Sequence, residues 1–391
     1  MKTIQFRDFI ILQRGFDLPK HSRDEGEYPV IAATGIHGSH SEFKVNPPGV
    51  VTGRSGSLGE VVFVERPYWP LNTTLWVKDF KENQPRYVYY FLKTLDLKRF
   101  NSGAGVPTLN RNHLDTLVVK IHDRQNQQKI ASILSAYDDL IENNLRRIKI
   151  SEEMAQTIYR EWFVKFRFPG HQKVKMVNSP LGKIPEGWEI KRLGELVETQ
   201  YGYTESAQET RIGPKFLRGT DINKNPYVDW ENVPYCPISK EEYPKFKLGV
   251  DDIVVIRMAD PGKVAIVEVG IDAVFASYLV RLKISNKFIT PYYLFYFLLS
   301  ETYQGYISGA STGTTRKSAS AGVIVGIDIL IPPKSILEKF QSAVLPLRKM
   351  LNNLLAKNAV LRQTRDLLLP KLISGELDAS ELEITIPEAN A

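Results

Sequence analysis

Ile130-Ala-Ser-Ile-Leu-Ser-Ala-Tyr-Asp-Asp-Leu-Ile-Glu-Asn-Asn-Leu-Arg-Arg-Ile148 places apolar side chains at 130, 133/134, 137, 140/141, 145 and 148. Alternating steps of three and four residues mark a helix that buries one narrow stripe. The stripe continues through Ala155, Ile158/Tyr159 and Trp162, and only the Ser151–Glu152 step interrupts it. A helix over 128–162 is about 50 Å long at about 1.5 Å per residue, more than a solitary surface helix needs. Far along the chain Leu337, Phe340, Val344, Leu347, Leu351, Leu354, Leu361 and Leu368 repeat the pattern, with Asn358 and Arg365 at two further seam positions. Two helices of matching length and seam predict each other as packing partners. The expected contact set is Ile133, Tyr137, Ile141, Leu145, Ile148 and Trp162 against Phe340, Val344, Leu347, Leu351, Leu354, Leu361 and Leu368. Asn358 and Arg365 either fix the register or mark where another protein docks.

What precedes each helix is also repeated. Gly53-Arg-Ser-Gly-Ser-Leu-Gly-Glu-Val-Val-Phe-Val matches Arg257-Met-Ala-Asp-Pro-Gly-Lys-Val-Ala-Ile-Val, so that Gly59 aligns with Gly262. Tyr87-Val-Tyr-Tyr-Phe-Leu matches Tyr292-Tyr-Leu-Phe-Tyr-Phe-Leu-Leu. Asn101-Ser-Gly-Ala-Gly-Val-Pro-Thr-Leu-Asn-Arg matches Ser308-Gly-Ala-Ser-Thr-Gly-Thr-Thr-Arg-Lys. A short strand then follows in each half, Leu117-Val-Val-Lys-Ile and Ile327-Asp-Ile-Leu-Ile. Blocks matching in the same order indicate an internal duplication. The expected division is a first domain at 1–122, a helix at 123–166, a linker at 167–187, a second domain at 188–330, a helix at 331–375 and an acidic tail at 376–391. If a pseudo-twofold axis relates the halves, the two helices run antiparallel.

Composition narrows the function classes. The chain has 391 residues, a formal charge of +7 and a pI near 9.1, which suits a polyanionic partner and equally suits an ordinary soluble protein. A single cysteine, Cys236, excludes an intrachain disulfide framework. His37 and His40 lie in a Gly/Ser-rich turn without a metal-ligand motif and read as surface structure. No signal-peptide region and no uncharged stretch of membrane-spanning length is present, so a cytoplasmic location is expected. No metal, no cofactor and no catalytic constellation is expected.

Candidate contacts for a polyanionic partner cluster in the loops. Arg54 and Ser55 sit in the Gly-rich loop, which lacks the Gly-Lys-Ser/Thr ending of a nucleotide-binding loop and reads either as a binding contact or as a tight turn. Asn101, Asn110 and Arg111 form a second candidate cluster. In the other half the candidates are Arg218, Arg257, Lys263, Arg316 and Lys317. The recurrent aromatics at 87–91 and 292–297 read as core rather than base-stacking platforms, and Tyr201 and Tyr203 as weaker exposed candidates.

Three strings carry a family likeness. Leu181-Gly-Lys-Ile-Pro-Glu-Gly-Trp-Glu-Ile-Lys-Arg-Leu-Gly-Glu-Leu resembles the usual opening of a target-recognition domain in type I restriction-modification specificity subunits. Ile329-Leu-Ile-Pro-Pro-Lys-Ser-Ile-Leu-Glu-Lys-Phe resembles the start of their spacer helix, and Leu368-Leu-Leu-Pro-Lys-Leu-Ile-Ser-Gly-Glu-Leu their close. The resemblance covers essentially the whole chain. It implies an α+β fold with two mixed α/β target-recognition domains in pseudo-twofold arrangement, separated by two long antiparallel coiled-coil spacer helices. It also implies a non-catalytic subunit that reads an asymmetric bipartite site on double-stranded DNA. Two adenine methyltransferase (modification) subunits would dock on it, and restriction subunits would join for cleavage. The first half departs from the pattern, with Ile121-His-Asp-Arg where the second has Pro332-Pro333, and with no Pro-x-Gly-Trp opening. A nuclease acting alone and a protein scaffold that reads no DNA are the rival classes.

Overall fold

A computed structural model describes residues 1–103, 105–313 and 317–382. The chain forms two units, Met1–Asn143 with Val360–Ala391, and Asn144–Ala359.

The first unit runs β1 (Lys2–Gln5), α1 (Phe6–Phe9), β2 (Ile11–Arg14), β3 (Tyr28–Ala32), β4 (Gly35–His40), β5 (Gly49–Gly53), β6 (Val61–Val64), β7 (Trp69–Pro70), β8 (Thr74–Asp79), α2 (Pro85–Thr94), α3 (Arg111–Asp115) and β9 (Val118–Ile121). Helix α4 (Arg124–Tyr159) begins in this unit. Strands β2-β8-β5-β6 form an antiparallel sheet, β1 pairs with β9, and β3 pairs parallel with β7.

The second unit opens on the hairpin β10 (Met176–Ser179) and β11 (Gly182–Pro185), followed by β12 (Glu189–Arg192) and β13 (Val197–Tyr201). Then come β14 (Lys215–Leu217), α5 (Gly219–Ile222), α6 (Tyr243–Phe246), β15 (Ile253–Ile256), β16 (Met258–Ala259), β17 (Val264–Ile266), β18 (Ala273–Phe275) and β19 (Leu279–Ile284). It closes on α7 (Pro291–Leu299), α8 (Glu301–Ala310), β20 (Lys317–Ser318), α9 (Ala321–Ile324) and β21 (Asp328–Ile331), before helix α10 (Lys334–Ser374). Its main sheet, β13-β19-β15-β17, repeats the order of the first. The β12–β21 pair repeats β1–β9, and the parallel β14–β18 pair repeats β3–β7. Strands β8 and β19 share one pattern of buried and exposed positions although Thr-Leu-Trp-Val-Lys-Asp and Leu-Val-Arg-Leu-Lys-Ile share few residues. The pleat dictates the pattern, and different side chains satisfy it. Proline starts both α2 and α7, where its missing N–H is not needed.

Each unit contains its own antiparallel contact between α4 and α10. In the first, Ile130, Ala131 and Leu134 share a core with Leu369, Leu372 and Ile373. In the second, Ile148 packs on Leu351, Leu354 and Leu355, while Ala155 and Tyr159, with Phe163 just after α4, share a core with Leu337, Phe340 and Val344. Of the expected contact residues Ile141, Ile148, Phe340, Val344, Leu351 and Leu354 are buried; Ile133, Tyr137, Trp162, Leu347, Leu361 and Leu368 are half-buried.

Leu145 corrects the expected seam. It is 38% exposed, and Asn144 turns inward instead, donating from its amide to Asn358 Oδ1 at 2.8 Å. Both 144 and 145 lie three or four residues from Ile141 and Ile148, so spacing admits either, and the facing Asn358 selects the amide. The stripe is not interrupted at Ser151–Glu152 either, since both side chains are buried.

Glu152 belongs to a buried ionic cluster. Arg348, fully buried on α10, donates to Glu152 and forms a two-pronged pair with Glu268 (Nε–Oε1 2.7 Å, Nη2–Oε2 2.5 Å). Tyr296 donates to Glu152 at 3.3 Å and Tyr292 to Glu268 at 3.0 Å. Helix α4, helix α10, helix α7 and the segment after β17 are thereby tied at one point within the second unit. The first unit repeats the scheme more openly. Asp138 on α4 receives Tyr90 from α2 at 2.6 Å and Arg365 from α10 at 2.5 Å. In both clusters α4 supplies the acid and α10 the arginine, a division that sets helix register and matches each helix to the other.

Gly59 and Gly262 take the same backbone, with φ of +96° and +95°. Their surroundings differ. A Cβ on Gly262 would sit 2.5 Å from Ile307 Cγ2, whereas one on Gly59 would meet only the flexible Lys98 stem at 3.4 Å. Alanine at either position stores about 1–3 kcal/mol of backbone strain. At 262 overpacking adds about 1–3 kcal/mol. Denaturant unfolding is therefore expected to show G262A clearly less stable than G59A; equal losses would contradict this account of the turn.

Candidate nucleic-acid interface

In the first unit the Gly-rich loop is folded back by its own backbone. Arg54 and Ser55 donate their amides to Thr73 O, Leu109 donates to Arg54 O, and Ser55 pairs with Thr108 in a short bridge. A side chain at Gly53 would strike Ser57 O at 1.9 Å, so the loop can close only on glycine. The closure brings residues 107–109 against residues 54–56. An open, polar cavity of about 1000 Å³ forms there, lined by Arg14, Arg54, Lys78, Ser102, Asn110 and Arg111 among others, with Asp17 as its acid. Four cations against one carboxylate in a concave polar surface suit a polyanion.

Of the five residues named from sequence in this half, Arg54, Asn110 and Arg111 line this cavity, while Ser55 and Asn101 belong to the loop frame behind it. Asn101 Oδ1 accepts the amides of Gly103 and Thr108, both at 2.9 Å, and so shapes the loop. Asn110 caps α3 by accepting the Asn112 amide at 3.1 Å. Arg54 and Arg111 each spend one guanidinium N–H on a carbonyl, Asn72 O at 3.2 Å and Leu12 O at 3.3 Å. Arg14 and Lys78 belong to the same surface and were not singled out from sequence. They lie on β2 and β8, outside any Gly-rich motif, and only the sheet order brings them alongside.

The second unit builds the corresponding place from other side chains. β16, directly after Arg257, pairs with β20, so that Ala259 faces Lys317, and the Ala319 amide donates to Arg257 O at 2.8 Å. Ala259 has φ +71°, the left-handed backbone that Gly56 supplies in the first unit at φ +91°. Lys263 and Lys317 are exposed and Arg257 is half-buried. The Arg257 guanidinium lies over the Tyr201 ring, 4.9 Å from its centroid. Arg218 is committed elsewhere: Nε and Nη2 clasp the two carboxylate oxygens of Asp221 at 3.2 and 2.9 Å, which also holds its proton more tightly than usual. Arg316 lies outside the described residues.

The remaining candidates have structural roles. Tyr87, Tyr90, Phe91, Tyr292, Tyr293, Phe295, Tyr296 and Phe297 are buried core. His40 is not on the surface as expected; it is buried, with Nδ1 3.2 Å from the Asp24 amide nitrogen and its ring edge-on to Trp69. Among the described residues no group of three or more His, Cys, Asp or Glu side chains is placed to hold a metal ion. Burial pushes the Cys236 thiol up to about 11, which keeps it protonated and unreactive. No helix among the described residues is long and apolar enough to cross a membrane.

Comparison with known proteins agrees with this organisation. The family model for the type I restriction modification DNA specificity domain matches residues 1–151 and 185–354. The MjaIX specificity subunit of Methanocaldococcus jannaschii is 32% identical over 315 residues, covering 76% of this chain and 70% of that protein. The HindI specificity subunit of Haemophilus influenzae is 22% identical over 331 residues, 69% of this chain and 71% of its own. The crystal structure of the type I S subunit from M. genitalium superposes with a TM-score of 0.61 at 17% identity, covering 95% of this chain and 96% of that one, and thus shares the fold. With two such domains, each leading into a long helix, and with a family match over most of its length, this chain belongs to the type I restriction-modification specificity subunits.

Proposed function

We propose that the chain is the non-catalytic DNA reader of its complex. Each unit recognises one half of an asymmetric two-part site on double-stranded DNA. Two adenine methyltransferase subunits dock on the chain, and restriction subunits join the assembly for cleavage. The observation that carries this reading is the paired construction of the two loop surfaces. One topology presents Arg14, Arg54, Lys78 and Arg111 in the first unit and Arg257, Lys263 and Lys317 in the second. Equal frames with unequal side chains suit two half-sites of different sequence, because phosphate contacts orient the protein while base-edge contacts distinguish sequences.

Selection of bound duplexes from a random pool tests it, using the full chain purified with its methyltransferase subunit. The expected product is one non-palindromic motif in two blocks. Recovery of duplexes without sequence preference would contradict the reading and favour a scaffold.

A further inference from the structure

Resting on the DNA-reading function above, we propose that Arg257 reads a guanine edge in the half-site of the second unit, and that Tyr201 is the residue that positions it. Arg54 and Arg257 occupy equivalent places in the two repeats, each at the start of the Gly-bearing turn. Arg54 is tethered through a carbonyl, Asn72 O. Arg257 sits over an aromatic ring instead. Its guanidinium lies 4.9 Å from the Tyr201 ring centroid, and among the described residues its side-chain hydrogen bond is a weak one, Nη1 to Met258 Sδ at 3.6 Å. Among the described residues its Nε is buried without a hydrogen-bond partner.

Stacking fixes the plane of a guanidinium while leaving its edge to hydrogen bond. That edge matches the O6 and N7 acceptors which guanine presents in the major groove. Tyr201 is itself fixed. It ends β13 in register with Val280, and its hydroxyl accepts the Ala321 amide at 2.9 Å, which joins the β13 end to the segment that follows β20. The residue is 44% exposed, so it lies at the surface where a duplex can approach. Exposed Lys263 and Lys317 flank the arginine and supply charge for the backbone. The first unit has Arg14 where the sheet order places Tyr201 in the second, so this stack belongs to one half-site only.

The test uses the full chain with its methyltransferase subunit and duplexes that vary one position at a time. R257K keeps the charge and loses the fork. It is expected to lower guanine discrimination about 10- to 100-fold at one position of one half-site and to leave the other half-site unchanged. Y201L is expected to relax the same position, whereas Y201F keeps the ring and retains most of the discrimination. Thermal unfolding of each variant confirms that the domain is intact. Unchanged discrimination in R257K, with affinity retained on all sequences, would make Arg257 a phosphate contact and overturn the proposal. A wild-type complex without sequence preference would overturn the DNA-reading function itself and this assignment with it.

Discussion

Replacement of Arg348 by methionine is expected to destabilise the second unit by about 3–5 kcal/mol, the usual cost of breaking a buried ion pair from one side. The side chain is fully buried, and its loss leaves Glu152 and Glu268, themselves 8% and 5% exposed, facing each other without a cation. Methionine fills much of the space, so the loss reports charge rather than a cavity. Replacing all three members with apolar residues, as in R348M/E152L/E268M, is expected to recover most of the loss. Denaturant unfolding of both variants measures this. A triple variant no more stable than R348M would show that the cluster is held by packing rather than charge.

Loss of Arg54 and Arg111 together is expected to weaken binding of the cognate duplex roughly 100-fold, from about 1–3 kcal/mol for each base contact. Both side chains line one cavity in the first unit, and neither is buried, so the fold tolerates R54A/R111A. The lysine pair R54K/R111K separates the two modes of contact. It retains charge, and restores affinity where the contacts are to phosphate. Where they are to base edges, affinity stays low and sequence preference stays relaxed. Each lost phosphate contact also flattens the logarithmic salt dependence by about 1. The half-site of the second unit keeps its preference in either variant. Titration of labelled duplex at several salt concentrations checks the result, and unchanged affinity would remove the cavity from the DNA surface.

The sequence made the frame legible because the frame is periodic. Three- and four-residue steps located both long helices, and blocks repeated in order revealed two like domains whose sheets share one strand order. Polar seam residues were less legible for a specific reason. Between Ile141 and Ile148, and again between Val344 and Leu351, two adjacent positions satisfy the same spacing. Hydrophobicity favours Leu145 and Leu347, whereas the folded chain turns Asn144 and Arg348 fully inward. Nothing local announces this; the selecting partners, Asn358 for one and Glu152 with Glu268 for the other, are remote in sequence. Asn358 and Arg365 were visible as seam positions, but their partners Asn144 and Asp138 were not.

The binding surfaces follow the same logic. Glycines and clustered arginines mark the loops, so Arg54, Asn110, Arg111, Arg257 and Lys317 could be named. Arg14 and Lys78 could not, because they reach the cavity by strand order alone. Arg218 shows the opposite failure. An arginine in a loop reads as available charge, yet Asp221 three residues later claims both prongs of its fork. Ordinary helix-start chemistry explains that pair without DNA.

The most direct measurement is methylome sequencing of a host otherwise free of adenine methylation, carrying this chain and its modification subunit. The account predicts adenine methylation at one asymmetric motif of two specified blocks around an unspecified gap, with R257K altering one block and R54A/R111A the other. Methylation at a single uninterrupted motif, or none from a complex whose modification subunit is demonstrably active, would contradict it.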